Sequence, residues 1–302
     1  MKITRLPSLL GSIALAALLS LAAPSWATTL TLGSISATPV EETRTFQPFA
    51  DYLGELLAAD GVDQVKVVIA PNIAQMAALM KNGKVDLFID SSVTALAVNK
   101  LSGSSYMLRR WKKGRDQYRS VIFVRDDSSI HTLDDLNNHT IAFEEPFSTS
   151  GFMLPAMAMR NHGLDMVRVN TVRDVAPADK VAYIMAYDAE TQATWLERDR
   201  VHAAAMADAD FEDFAKTAIT PLRVLYTTDY VPYHVMTHSP VLDPHLVERI
   251  KAVLKTAHET EQGRAVLKAF ERTAKFDDIP APLLDNVLNL APHLDMIISP
   301  AQ

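Results

Sequence analysis

Ser148, Thr149 and Ser150, followed by Gly151, put three hydroxyls and a permissive backbone link at one point of the chain. The surrounding run, IAFEEPFSTSGFMLPAMAMR from Ile141 to Arg160, reads as a short apolar strand, a break at Pro146, the hydroxyls, then an apolar helix. The first backbone N–H groups of a helix have no internal partner. Together with the helix dipole they attract anions, and hydroxyls add rotatable donors. One N-cap needs one hydroxyl. Three in succession suit an oxyanion; a plain serine cap is the competing reading.

A second place of the same kind is Asp90-Ser91-Ser92, directly after the apolar run Val85 to Ile89 and before a helix. Helix capping by Asp90 or Ser91 is an equal alternative there. Ser34 ends the first strand, and Ser36-Ala37-Thr38-Pro39 reads as a loop, because the residue before a proline avoids the helical region. In open α/β sheets ligands gather at such strand ends. Nucleophilic catalysis can be drawn with Ser148 or Ser150, an imidazole from His202 or His234, and an aspartate. No serine lies in a G-x-S-x-G elbow. His258-Glu259 is not followed by a second histidine at metal-site spacing. The expectation is a binding protein with no catalytic residues, no cofactor and no metal.

These residues need elements to hold them, and the chain supplies strand–helix–strand units from Leu30 to Asp210, the rhythm of sheets covered on both faces. Helices are expected from about Thr45 to Ala59, over Asn72 to Met80, and from Asp243 to Glu259. Tyr106–Trp111 and Tyr118–Arg125 look like a hairpin whose tip, Lys112-Lys113-Gly114-Arg115, is solvated. With no linker between two βαβ-rich blocks, the simplest architecture is two lobes. Ser120–Val124 and Val224–Thr227 are the candidate crossings. That assigns residues 28–119 and 228–302 to lobe 1 and 120–227 to lobe 2, with a cleft between them.

Lys2, Arg5 and the apolar run Leu9 to Ala23, ending in Ser25-Trp26-Ala27, have the form of a signal peptide cleaved after Ala27. The run is shorter than the ~20 residues of a membrane span. A soluble periplasmic protein is expected. Cysteine is absent, so there is no disulfide framework and no thiolate metal site. The formal net charge of -7 lacks the cationic footprint of a nucleic-acid binder.

FEEPFSTSGFMLP, the preceding YRSVIFVRDDSSIHTLDDL and the earlier KNGKVDLFID resemble the phosphonate, phosphite and phosphate binding proteins of bacterial ABC transporters. The resemblance implies an α/β, two-lobed type II periplasmic binding protein, each lobe a mixed sheet flanked by helices, closing on its ligand without catalysis. It implies that Ser148, Thr149 and Ser150 grip a small anionic ligand, with Ser34, Ser36 and Thr38 contributing from the first-strand loop. It also implies an inner-membrane ABC permease as partner, or, by analogy with signalling relatives, a sensor protein. The expected state is a monomer. The chain departs from the phosphonate pattern in the ligand-tail shell. Ala186-Tyr187-Asp188 stands where those members carry serine–histidine–aspartate, and Val201-His202-Ala203-Ala204 replaces a segment with an aspartate. Tyr187, Asp188 and Asp208 are then the remaining candidates for the ligand tail.

Overall fold

Leu30 and Leu32 are buried on β1 (Thr28–Ile35), the alternation that a half-buried strand requires. The structure, a computed structural model, describes residues 28–295, so the expected signal segment and its cleavage after Ala27 lie outside the described residues. β1 pairs in parallel with β2 (Val62–Ala70) and β3 (Leu87–Ser91). β4 (Ser105–Arg110) is reached only through β13 (His234–His238), which runs antiparallel to both β3 and β4; β14 (Phe276–Asp277) closes that edge. The first sheet has the order β14-β4-β13-β3-β1-β2.

The second sheet is built from the middle of the chain: β6 (Ser120–Arg125), β7 (Thr140–Phe143), β8 (Met166–Arg168), β9 (Val181–Met185), β10 (Ala203–Ala207) and β11 (Leu222–Thr227), in the order β11-β6-β10-β7-β9-β8. In each sheet the strand that receives the chain from the other lobe runs antiparallel to its two neighbours. That strand is β6 in the second sheet and β13 in the first. The crossings themselves are two short segments, β5 (Gln117–Tyr118) and β12 (Val231–Pro232), paired antiparallel with Tyr118 opposite Val231. Tyr118 and Tyr233 stack there with centroids 4.5 Å apart. Ser120–Val124 and Val224–Thr227 are therefore neighbouring strands of one sheet, and the connection lies just outside them.

The lobes are filled by amphipathic helices. α1 (Pro39–Leu57) buries Phe46, Phe49, Leu53 and Leu57. It begins earlier than its apolar stripe suggests, because Pro39 occupies the first turn, where its missing N–H costs nothing. α2 (Ile73–Lys81) buries Met76 and Met80, and α3 (Ser92–Ser102) is buried along most of its length. The closeness of α2 explains Gly33: a Cβ there would lie 2.8 Å from Met76 Cε and from a Val85 methyl. Lobe 2 carries α4 (Leu154–Asn161), α5 (Ala189–Glu197) and α6 (Asp208–Thr217). Lobe 1 is completed by α7 (Pro244–Thr256), α8 (Glu261–Ala269) and α9 (Ala281–Leu288). Among the described residues no helix is long and apolar enough to cross a membrane.

The supposed hairpin at Lys112 does not exist, since β4 and β6 belong to different sheets. Lys113, Gly114 and Arg115 of that turn are exposed, as a solvated tip requires, but the turn sits at the junction of the lobes. Lys112 is turned inward against Glu271.

Candidate functional site

The carboxyl ends of β1, β3 and β7 converge on one cavity of about 300 Å³ between the lobes. Lobe 1 contributes Ser34, Glu42, Asp90 and Ser91; lobe 2 contributes Glu144, Glu145, Ser148, Thr149 and Ser150. Phe46, Phe147, Tyr118 and Tyr233 supply apolar wall.

The helix start in lobe 2 is shaped by a proline. Pro155 has no N–H, so the Gly151 carbonyl one turn earlier receives nothing from it. That carbonyl instead accepts from the Glu144 N–H at 3.0 Å, tying the end of β7 to the helix. The first turn, Thr149–Met153, is π-type and runs directly into α4. Ser148 is its N-cap: Ser148 Oγ accepts the Gly151 N–H at 3.0 Å and donates to Glu144 Oε2 at 2.7 Å. Gly151 is required by this packing, because a Cβ there would come within 2.5 Å of Glu144 Cβ and Oε2.

The remaining hydroxyls form a relay between the lobes. Thr149 Oγ1 donates to Ser91 Oγ at 2.9 Å, Ser91 Oγ donates to Thr94 Oγ1 at 3.0 Å, and Thr94 Oγ1 donates to the Phe147 carbonyl at 3.2 Å. In lobe 1 the Ser34 hydroxyl donates to Glu42 Oε1 at 2.6 Å. Ser150 is different. It is 9% exposed and lines the cavity, and among the described residues its hydroxyl has no partner. The N–H groups of Thr149 and Ser150 are at the unpaired start of the helix. These three donors are available to a ligand, as is the Tyr233 hydroxyl, which lines the same cavity.

The cavity is acidic. Glu42, Asp90, Glu144, Glu145 and Glu271 face a single lysine, Lys112. Glu271 is committed: Lys112 Nζ lies 2.8 Å from Oε1, and the fully buried Arg110 places Nη2 2.7 Å from Oε2. Burial pushes the Glu271 carboxyl up, but the two cations outweigh it and hold it at about 2. Burial pushes Asp90 up to about 7, against the opposing pull of the Ser91 N–H and of Lys112. Burial, reinforced by the charge of Glu144, lifts Glu145 to about 7 as well. Glu42 is raised by burial despite its bond to Ser34. The His234 imidazole stands well below its ordinary value through burial and the nearby Lys112, Arg110 and Lys113, so it is neutral. Among the described residues no three acidic or histidine side chains are grouped to hold a metal ion.

Of the residues singled out in the sequence, Ser34, Ser91, Ser148, Thr149 and Ser150 meet at the cavity. Gly151 lies one residue behind it, as the packing surface of Glu144. Ser92 belongs to α3 and donates to the Pro232 carbonyl at the crossing. Ser36 and Thr38 bond to each other at the exposed start of α1, outside the cavity lining. Tyr187 is 62% exposed with a left-handed backbone, and its hydroxyl accepts from Arg168. Asp188 caps α5 by accepting from the Thr191 N–H and hydroxyl, each at 2.7 Å. Asp208 opens α6, bonds the Ala209 N–H and faces Arg119. His202 accepts the Thr140 N–H inside lobe 2, away from the cavity. Lys112, Glu42, Glu144, Glu145 and Glu271 escaped sequence reasoning. Only Glu144 and Glu145 had a local signal, adjacency to the hydroxyl run.

Two mixed α/β lobes, joined by paired crossings and meeting at strand ends, define a type II periplasmic binding protein. The chain belongs to the family of phosphonate periplasmic substrate-binding proteins of ABC transporters, whose family model matches residues 33–280. Its fold is similar to that of XAC2383 from Xanthomonas citri, solved with chloride ion and with ATP. The chloride form is 24% identical over 89% of this chain and 98% of that one, with a TM-score of 0.81. The ATP form is 23% identical over 91% and 100%, with the same TM-score. PhnD1 from Prochlorococcus marinus, in complex with methylphosphonate, is 16% identical over 89% and 99%, with a TM-score of 0.61. The aliphatic sulphonate binding protein SsuA from Escherichia coli is 17% identical over 88% and 86%, with a TM-score of 0.52.

Proposed function

We propose that this protein captures a small oxyanion of the phosphonate, phosphite or phosphate type in the cleft and delivers it to an inner-membrane ABC permease. The reading is carried by the Ser150 hydroxyl, nearly buried and unpaired at the cavity wall, beside the free N–H groups of a helix start. Charge-assisted hydrogen bonds to such donors are stronger than neutral ones. The anion sits where Ser34 and Ser91 of lobe 1 can also approach, so lobe 1 and lobe 2 share it only when the cleft is shut. Binding then shifts the population toward the closed form, and the permease reads the closed surface. The acid surplus suits a ligand that carries an ammonium group beside its oxyanion. The test is isothermal titration with phosphate, phosphite, methylphosphonate and aminoethylphosphonate, using Ser148→Ala/Thr149→Ala/Ser150→Ala as control. Saturable binding by the parent and its loss in the triple variant are expected; equal binding by both proteins would place the ligand elsewhere.

A further inference from the structure

The basic turn after β4 stands against the acidic start of α6, and the two belong to different lobes. The turn is fixed to lobe 1 at both ends. Trp111 donates its N–H to the Lys275 carbonyl and its own carbonyl accepts the Ala274 N–H, each at 2.9 Å. Arg109 of β4 holds Asp116 at 2.9 Å, and Lys112 is tied to Glu271. Between these anchors Lys113 and Gly114 are both left-handed, with φ of 53° and 75°, and the Arg115 N–H donates to the Lys112 carbonyl at 3.0 Å. Asparagine and glycine are the usual residues of such a tight turn. A lysine there carries a backbone cost that its surroundings must offset.

α6 starts directly at the end of β10 in lobe 2. Lys113 Nζ lies 3.9 Å from Asp210 Oδ1, and Arg115 Nη2 lies 3.6 Å from Glu212 Oε2, all four side chains being about half-exposed. Acids at a helix start are favoured by the dipole without any partner. That accounts for Asp208, which bonds the Ala209 N–H and faces Arg119 beside β6. Asp213 is taken by Lys216 of the same helix. Among the described residues Asp210 and Glu212 have no ion-pair partner other than Lys113 and Arg115. The field of the turn reaches further along α6: Asp213 is held below the usual carboxylate range by Lys216 first, and also by Arg115 and Lys113.

We infer that the Lys113–Asp210 and Arg115–Glu212 pairs form a latch between the lobes, which favours the closed cleft and makes closure sensitive to ionic strength. Motion about the β5–β12 crossing changes both separations together, because one side of each pair is fixed to lobe 1 and the other to lobe 2. Inside the cavity Glu42 and Asp90 of lobe 1 approach Glu144 and Glu145 of lobe 2, so closure gathers like charges there. The turn and α6 supply the opposite sign beside them. The latch contacts are longer than the 2.9 Å Arg109–Asp116 pair and half-exposed, so they part without stranding a buried charge. That suits a contact made and broken in every cycle. The screening length falls from about 8 Å at physiological ionic strength to about 3 Å at 1 M, which removes the advantage of bringing the four charges together.

The latch rests on the lobe closure proposed above and not on which anion enters, so it is tested without ligand. The chain has no cysteine of its own, and one is introduced on each lobe to carry a spin label. Inter-lobe distances are measured for the parent, Lys113→Glu/Arg115→Glu, Asp210→Lys/Glu212→Lys and the fourfold exchange. At low salt each double reversal is expected to lower the closed-to-open ratio about tenfold, and the fourfold exchange to return it to within about threefold of the parent. Lys113→Gln/Arg115→Gln should respond less to added sodium chloride than the parent does; both proteins see the same anion, so any effect of chloride on the cleft cancels. Unchanged distances in Lys113→Glu/Arg115→Glu, or a fourfold exchange no closer to the parent than the double reversals, overturns the latch. If the α6 variants do not fold, the salt responses of the parent and Lys113→Gln/Arg115→Gln decide, and equal responses overturn it. Titration of the parent with methylphosphonate and phosphate keeps the two readings apart: binding with unaltered distances in the variants sinks the latch alone, and no binding sinks the oxyanion reading while the distances still judge the latch.

Discussion

Thr149 Oγ1 donates to Ser91 Oγ at 2.9 Å across the cleft, so the first residue of the lobe 2 site helix and the N-cap of α3 in lobe 1 are joined by one hydroxyl bridge. The relay continues through Thr94 to the Phe147 carbonyl and returns to lobe 2. Closure of the lobes is thus registered on the same residues that stand at the ligand's helix start.

Thr149→Val keeps the shape of the side chain and removes the bridge. A neutral hydrogen bond contributes about 1 kcal/mol net, so the closed population of the ligand-free protein should fall roughly fivefold relative to the open one. Small-angle scattering or distance measurements between labels on the two lobes would show expansion of the variant. Identical profiles would mean that the bridge has no part in closure.

The unsatisfied negative charge of the cleft predicts a preference within phosphonates. Aminoethylphosphonate should bind about tenfold more tightly than ethylphosphonate, an opposite charge partly shielded from water being worth 1–2 kcal/mol. Asp90→Asn and Glu145→Gln should each reduce that advantage without abolishing capture of the simple phosphonate. Equal affinities for the two ligands in the parent would remove the cationic tail from the reading.

Stability should depend on pH in a direction opposite to that of a protein held by ionised carboxylates. Asp90 and Glu145 have folded-state values near 7, above the ordinary 3.8 and 4.5. Between those limits the native state binds more protons than the unfolded chain, so their contribution is full below about pH 4 and is lost as pH rises through 7. The melting temperature of the ligand-free protein should fall between pH 5 and pH 8. Asp90→Asn should flatten that fall and gain a few degrees at pH 8, where the parent carries a buried charge. A parent whose melting temperature rises steadily from pH 5 to pH 8 would contradict the assignment.

Glu271 works in the other sense. It pairs with both Arg110, which is wholly buried, and Lys112. Its folded value near 2 means stability that is present above 4.5 and lost as pH falls toward 2. Glu271→Gln leaves the guanidinium buried without its partner, a loss on the order of 3 kcal/mol. Chemical denaturation at pH 7 would show it as a lower midpoint with an unchanged slope.

Gly151→Ala sets a Cβ against the Glu144 side chain and the Ser148 hydroxyl, which lies 2.8 Å away. Overpacking of this kind costs about 1–3 kcal/mol. Ligand affinity should fall together with stability, because the displaced Ser148 is the cap of the site helix. A variant with parental affinity would show that the first turn adapts without disturbing the ligand.

Much of the site could be read locally. A strand, a break, an N-capping serine and an apolar helix lie within twenty consecutive residues, and their geometry depends on neighbours in sequence. The role of Asp188 was also local, though it points elsewhere: an aspartate three residues before Thr191 is a helix cap, and in the structure both its oxygens serve the cap. Lys112 was illegible for the opposite reason. Lys-Lys-Gly-Arg between two apolar runs has the composition of a solvated hairpin tip, and nothing nearby shows that the flanking strands enter different sheets.

The sequence by itself determined the α/β rhythm and the hydroxyl-capped helix start, because hydrophobic period and capping act over a few residues, and its motifs carried the resemblance to the family. Tertiary structure alone decided the character of the cleft. Glu42, Asp90, Glu144 and Glu271 are spread over more than two hundred positions, and only the pairing of β5 with β12 and the folding of α8 onto lobe 1 bring them to one cavity. Buried charges respond to what lies within a few ångströms in space, so a site that looks in sequence like a cradle of donors becomes, once folded, a cradle guarded by carboxylates.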